Sequence, residues 1–424
     1  MKKDKYIKEL GSFLKEAKTP YHAVSLTAQI LTKAGFSELA ESDAWQVKPG
    51  GRYYVSRNGS SIIAFSVPKS SKLHSFSIVA AHSDSPTFRV KENAELAVAG
   101  QYVKLNTEGY GGAILSTWLD RPLGIAGKVF VEEEGRITEK LVDLDTTVVI
   151  PNLAIHMNRE VNDGYKWNKQ VDLLPLFGGS EAAGSFDKAV IAKAGAGKNG
   201  LLGKDLVLYC PEELKVWGPK GEFCSAPRLD DLASAFAGLS AITENPVSAD
   251  AVNVLAIFDN EEVGSLTAQG ADSTFLYDVL QRIRIAMKAS EEDYYRAVAE
   301  SFLISADNAH AVHPNHAEKS DENNRPYLNG GFVVKYSANQ KYTTSGKSAA
   351  YLKKLCKSAG VTAQVFANRS DMAGGSTLGN ISNAHVSISS VDVGLPQLAM
   401  HSAYETMGTK DLSDMIAMMR EFYK

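Results

Sequence analysis

Three cysteines, Cys210, Cys224 and Cys356, are spread over 424 residues. They are too few and too scattered for a disulfide framework or a paired-cysteine metal knuckle, so reduced structural thiols are expected. No run of about 18 apolar residues occurs, which leaves nothing to form a helical membrane span. Lysine and arginine (45) nearly balance aspartate and glutamate (49), for a formal net charge of −4, and no long basic block is present. Binding to nucleic acid or to an anionic membrane is therefore not expected. The opening "MKKDKYIKEL" turns amphipathic at once instead of running from basic to apolar, so no leader is read there and a cytoplasmic protein is expected. No internal repeat or low-complexity tail appears. What remains is ordinary globular composition, 44% hydrophobic and 22% charged, in a chain long enough for two domains.

Along the chain, Ile7, Leu10, Phe13 and Leu14 recur at helical spacing, Thr19-Pro20 breaks the pattern, and a second periodic segment through Leu26, Ile30 and Leu31 stops at Gly35. "SIIAFSV" and "SFSIVAAHSDS" then read as buried strands of an α/β sheet. Between about Pro86 and Lys220 strands dominate, and "KVFVEEEGRITEKLVDL" reads as a hairpin turning at Gly135. α/β alternation resumes with a helix from about Asp231 to Thr243, a strand at 252–258, and a last helix presenting Leu412, Met415, Ile416, Met419 and Tyr423 on one face. The sequence thus predicts a discontinuous α/β domain, residues 1–86 and 220–424, interrupted by a β-rich insertion, 87–219.

In open α/β sheets ligands bind beyond the carboxyl ends of the strands. Four apolar strands here end in polar residues: "SIVAA" in His82-Ser83-Asp84, "VLAIF" in Asp259 to Glu262, "FLISAD" in Asp307, and "GLPQLAM" in His401. A fifth segment, "APRLDDLAS", sets Asp230 and Asp231 at the mouth of a helix. Each alone has a bland meaning: a hydrogen-bonded histidine, an N-cap, a solvated turn. Together they point to one cleft, where gathered carboxylates repel unless cations hold them.

Imidazole mixed with carboxylate, and no thiolate, suits zinc, manganese or cobalt better than calcium or magnesium. Two divalent ions against Asp230, Glu262 and Asp307, with neutral His82 and His401, leave one net positive charge, which favours a bound hydroxide. One glutamate of the Glu261-Glu262 pair can bind metal while the other moves protons. Asp84, two residues beyond His82, can accept the second imidazole N–H and fix the tautomer.

At these residues the chain resembles the M18 family of metallo-aminopeptidases, of the aspartyl aminopeptidase-like, bacterial type. "TPYHAV", "AAHSDSPTFRVK", "GYGGAILSTWLDRPLGIAG", "IPNLAIHMNR", "APRLDDLAS", "FDNEEVGS", "SADNAHAVHPNH" and "LPQLAMHSAYE" follow in the family's order. The resemblance implies a zinc-peptidase α/β/α sandwich with an inserted β-rich dimerisation domain, and two zinc ions per subunit, replaceable by manganese or cobalt. It implies that His82 and Asp307 hold one ion, Glu262 and His401 the other, that Asp230 bridges them, and that Glu261 is the general base. It further implies a cis Asp230–Asp231 peptide and a tetrahedral assembly of twelve subunits built from dimers. His156 matches a histidine reaching into the neighbouring subunit's site. Lys335 matches a lysine meeting an acidic substrate side chain, although a solvated surface lysine is the plain alternative. "MAGGSTLG", with Gly375, Ser376 and Thr377, resembles the substrate loop, and departs from the aspartyl aminopeptidase pattern at Gly374 and Ser376. His310, His313 and His316 are read as structural and supporting groups.

The expected activity is removal of single N-terminal residues, acidic ones preferred, from short peptides. The rival readings are a dinuclear-metal deacylase acting on N-acyl amino acids, and a non-catalytic metal-containing shell protein.

Overall fold

The computed structural model describes residues 2–70, 72–197, 200–372, 374–375 and 377–424. They fall into two compact units: 1–84, 214–400 and 405–424 form one, and 85–213 with 401–404 form the other. The first unit carries, among the described residues, a nine-stranded sheet in the order Ser37–Glu38, Arg52–Arg57, Ser61–Ser66, Ala251–Phe258, Ser75–His82, Phe302–Ala306, Ser389–Gly394, Phe332–Tyr336 and Ala363–Ala367. Its four central strands, from Ala251–Phe258 to Ser389–Gly394, run parallel, with Phe258 opposite His82 and Ala306 opposite Val393. Their carboxyl ends therefore lie side by side.

Alternation along these strands divides the core. Val79, Ala81, Leu255 and Ile257 face one cluster, shared with helices Lys2–Glu16, Leu229–Glu244 and Asp411–Phe422. Ile78, Ala80, Val254 and Ala256 face the other, with helices Phe275–Ala286 and Glu291–Ala299. A period of two sends successive side chains to opposite faces, so apolar residues at every position demand helices on both sides. This is the expected α/β/α sandwich.

The helices form where periodicity and caps coincide. Helix Pro20–Lys33 starts with Thr19 as its cap, accepting from the His22 N–H, and with proline at the first turn, where its missing N–H costs nothing. Helix Leu229–Glu244 is buried on all sides from Leu229 to Ile242, so its alanines and leucines serve as core rather than as one apolar stripe. A five-stranded sheet, Lys215–Trp217, Phe223–Ala226, Glu405–Gly408, Pro396–Leu398 and Ala309–His310, completes the unit.

The second unit is built on a six-stranded sheet, ordered Arg136–Val148, Leu123–Glu133, Leu201–Tyr209, Thr87–Val98, Tyr102–Tyr110 and Leu176–Gly179, antiparallel throughout. The hairpin turns at Glu134-Gly135, both with positive φ. Helix Phe186–Ala194 covers one face through Phe186, Val190 and Ala194.

Candidate metal centre

His82 is the last residue of its strand and is 1% exposed. Its Nδ1 lies 3.0 Å from the Asp84 carbonyl and 3.3 Å from the Asp84 carboxylate. Both are acceptors, so Nδ1 carries the proton and Nε2 is the atom offered to the cleft. Nε2 lies 3.7 Å from Asp230 Oδ1 and 3.9 Å from Asp307 Oδ1.

Asp230 and Asp231 open helix Leu229–Glu244, joined by a cis peptide bond. Arg228 anchors this corner by donating from Nε to the Ala17 carbonyl at 3.1 Å and from Nη2 to the Leu14 carbonyl at 2.9 Å. The Asp230 N–H donates to Glu405 Oε2 at 3.0 Å, and Asp231 Oδ2 accepts the His82 N–H at 3.1 Å. His82, Asp230, Asp231 and Asp307 each bring one ligand atom to within 4.8 Å of all the others. His82, Glu261 and Glu262 form a second such group.

The acid-bearing turn "DNEEVGS" is held at both ends. Asn260, at φ 64°, and Gly264, at φ 97°, take the left-handed conformation that asparagine and glycine tolerate. Asn260 Oδ1 accepts from Thr267 Oγ1 at 2.8 Å and Gln269 Nε2 at 2.9 Å. From the other side the Glu261 and Glu262 N–H groups donate to Asp84 Oδ1 and Oδ2, each at 3.1 Å. Asp84 thus touches both the histidine and the glutamate pair.

Crowding of carboxylates shapes their proton affinities. Burial, with the charges of Asp307, Glu262 and Asp84 adding to it against His82, pushes Glu261 up to about 8. Asp259 is pushed up to about 7 by burial and then by Asp84. Burial lifts Asp231 well above the carboxylate range. For His82, burial opposes the charged ring, but Asp307, Asp84 and Asp231 outweigh it and hold the imidazole well above its usual value. Asp307 is lowered, because Lys335 and His82 overcome its burial. A region that raises Asp231, Asp259 and Glu261 together with the imidazole of His82 is one that attracts positive charge. Imidazole nitrogen, several carboxylates and no thiolate fit zinc as the cation.

His401 belongs to the second unit, three residues beyond strand Pro396–Leu398; its Nδ1 is 3.1 Å from the Gly112 carbonyl, within the "GYGGA" run. His156 is exposed on a segment without regular structure. Lys335 is not a surface residue: it is 2% exposed on strand Phe332–Tyr336 and bonds to the Asp307 loop. Of the expected substrate loop, Thr377 is buried and donates to Asp392 Oδ1 at 2.6 Å, Gly375 is exposed, and Ser376 lies outside the described residues. Gly375 lines a cavity of about 290 Å³ together with His310, His313, His316, Lys319 and Arg369.

One supporting group, Asn308, gave no signal of its own in the sequence. Asn308 donates from Nδ2 to the Leu229 carbonyl at 2.8 Å and to Gln397 Oε1 at 3.1 Å, tying the Asp307 loop to the backbone just before Asp230. Its partners are 79 and 89 residues away, a separation that no local pattern marks.

The family model described as Aminopeptidase I zinc metalloprotease (M18) matches residues 13–423. A probable M18 family aminopeptidase 2 of Clostridium novyi is 46% identical over 430 residues, covering 99% of each chain. Among solved structures, a chain of the Ape4 and Nbr1 complex superposes with a TM-score of 0.94 at 36% identity, covering 100% of this chain and 86% of that one. The S. cerevisiae mApe1 dodecamer superposes with a TM-score of 0.86 at 27% identity, covering 98% and 96%. With a matching fold, a matching family model over nearly its whole length and an acid-and-histidine cluster suited to zinc, the chain belongs to the M18 family of zinc metallo-aminopeptidases.

Proposed function

We propose that this chain is a dinuclear zinc enzyme of the cytoplasm that removes single N-terminal residues, acidic ones by preference, from short peptides. The observation that carries the reading is the buried convergence of His82, Asp230, Asp231 and Asp307 next to the paired Glu261 and Glu262. In this reading His82 and Asp307 hold one ion, Glu262 and His401 hold the other, and Asp230 serves both. His401 enters through its motif, "LPQLAMHSAYE". Zinc held there supplies Lewis acidity, lowering the pKa of a water and polarising a peptide carbonyl.

The chain's own groups do the rest. Glu261, beside Glu262 in the group gathered around His82, is the carboxylate that takes a proton from the attacking water and returns it to the departing amine. Asp84 keeps that carboxylate beside its neighbour by holding both backbone N–H groups. The acidic preference is supported by the 290 Å³ cavity, whose lining holds Lys319, His310 and His313, along with Arg369 and His316, which are paired with Asp371 and Glu318. One of its lining residues, Gln397, bonds to Asn308, which follows Asp307 in the chain.

The same reading includes self-association through dimers into a tetrahedral dodecamer, with His156 serving a neighbouring subunit. It is supported by the dodecameric S. cerevisiae relative and by Leu153, Ile155 and Met157, which stand 51%, 46% and 75% exposed around His156. The deciding experiment is substitution of the base. Glu261→Gln should retain zinc while turnover falls by about 10²–10⁴-fold, whereas Asp230→Ala should lose zinc. Undiminished hydrolysis by Glu261→Gln removes Glu261 from this role.

A further inference from the structure

Asp392 is a buried acid that the chemistry above does not use. It lies on the central strand Ser389–Gly394, opposite Ser305, and is 0% exposed. A carboxylate so far from water is tolerated when hydrogen bonds surround it. Those around Asp392 come from two separate parts of the chain. Oδ2 accepts from the Thr343 N–H at 2.5 Å and from Thr343 Oγ1 at 2.7 Å. Oδ1 accepts from Thr377 Oγ1 at 2.6 Å. The Asp392 N–H itself donates to Thr344 Oγ1 at 3.0 Å.

The two sides of this clamp differ. Thr343 and Thr344 lead into Ser345, whose capping box starts helix Gly346–Ala359, so they are tied to regular structure. Thr377 stands two residues beyond Gly375, which with Gly374 lines the 290 Å³ cavity. A Cβ on Gly374 would run into the Asn368 side chain, whereas one on Gly375 would meet nothing within 4 Å. Glycine backbones have the widest conformational freedom, so a cavity edge made of two of them keeps its shape only if the chain nearby is held. Thr377 is held, by Asp392. We infer that Asp392 is a positioning residue: acting through Thr377, it fixes the glycine edge of the cavity and so governs how tightly a peptide binds, without touching the reacting atoms. This inference rests on the peptidase reading above, which gives that cavity to the substrate.

The readout is the split between KM and kcat on unblocked peptides beginning with Asp or Ala, in zinc-saturated protein whose metal content is measured alongside. Thr377→Val removes the hydroxyl and keeps the shape; KM should rise about fivefold or more, with kcat within about twofold and zinc content unchanged. Asp392→Ala should raise KM at least as far. Because both substitutions break one contact, KM of the double variant should stay within about twofold of Asp392→Ala alone. Unchanged KM in Thr377→Val, or effects that multiply in the double variant, overturns the inference. So does a loss of kcat and zinc at constant KM. Should Asp392→Ala not fold, Thr377→Val decides by the same split. An unsubstituted, zinc-loaded protein that releases no residue from these peptides would instead sink the peptidase reading itself.

Discussion

Asp84 shows how much of this site one carboxylate settles. Each of its oxygens takes one backbone N–H of the glutamate pair, and its carboxylate and carbonyl both face His82 Nδ1. Asparagine in its place can accept from only one of those N–H groups, since its NH₂ would face the other. A buried donor left unmet costs about 1–3 kcal/mol. Asp84→Asn should therefore show a loss of that size in chemical denaturation. Because both glutamates ride on the loosened turn, kcat should also fall by about tenfold or more. Wild-type kcat in that variant would mean that something other than Asp84 aims the pair. At this scale the sequence was informative where a polar residue closes an apolar strand, as at His82, Glu261, Glu262 and Asp307, because sheet topology itself concentrates chemistry there. It was silent where a side chain works through a distant partner. Lys335 reads as an ordinary lysine until the strand carrying it is set beside Asp307, 28 residues earlier.

Elements transmit the same demands over longer distances. Gly394 ends a central strand, and a Cβ there would lie 2.1 Å from the Asp307 carbonyl oxygen, closer than any real contact allows. Gly394→Ala must push the Asp307 loop aside, so a loss of about 1–3 kcal/mol is expected, as for other overpacked sites. It should be accompanied by a lower zinc content after gel filtration; an alanine variant with full zinc would show that the loop yields freely. Helix Asp411–Phe422 offers a test through pH. Its first residue, Asp411, accepts the Asn329 N–H at 2.8 Å and the Gly331 N–H at 2.9 Å, yet burial pushes its carboxyl up to about 7. The folded pKa thus lies above the unfolded one, near 3.9. The native state keeps a proton that the unfolded chain releases, so this group's contribution is full below about pH 4 and is lost as pH rises through 7. Thermal midpoints of Asp411→Asn should consequently fall less between pH 4.5 and 7.5 than those of the unsubstituted protein. The strands and the first and last helices were legible because their apolar periods are strong. The five-stranded sheet was not, since its short strands come from chain segments as far apart as Lys215 and Glu405 and pair only through the fold.

Over the whole molecule, charge explains why a fold of ordinary composition carries so concentrated a site. The chain as a whole is close to neutral at −4, while His82, Asp230, Asp231, Glu261, Glu262 and Asp307 bring five carboxylates and one imidazole into a single region. Lys335 is the cation that bonds directly to Asp307 there, and one ammonium cannot balance five acids. Like charges gathered in a desolvated region raise the free energy of the folded state unless protons or cations occupy it. Bound zinc must therefore stabilise the native chain as well as equip it for hydrolysis. Two independent sites held at a hundred times their Kd contribute about 5 kcal/mol in total. Stripping the protein with a chelator at pH 8, where protons are scarce, should lower its thermal midpoint by several degrees, and adding back one equivalent of zinc should recover part of the loss and a second the remainder. A midpoint indifferent to chelation would mean that the carboxylates are neutralised from within. Saturation at one equivalent would leave a single-ion site, and the dinuclear assignment would fall while membership of the family stood.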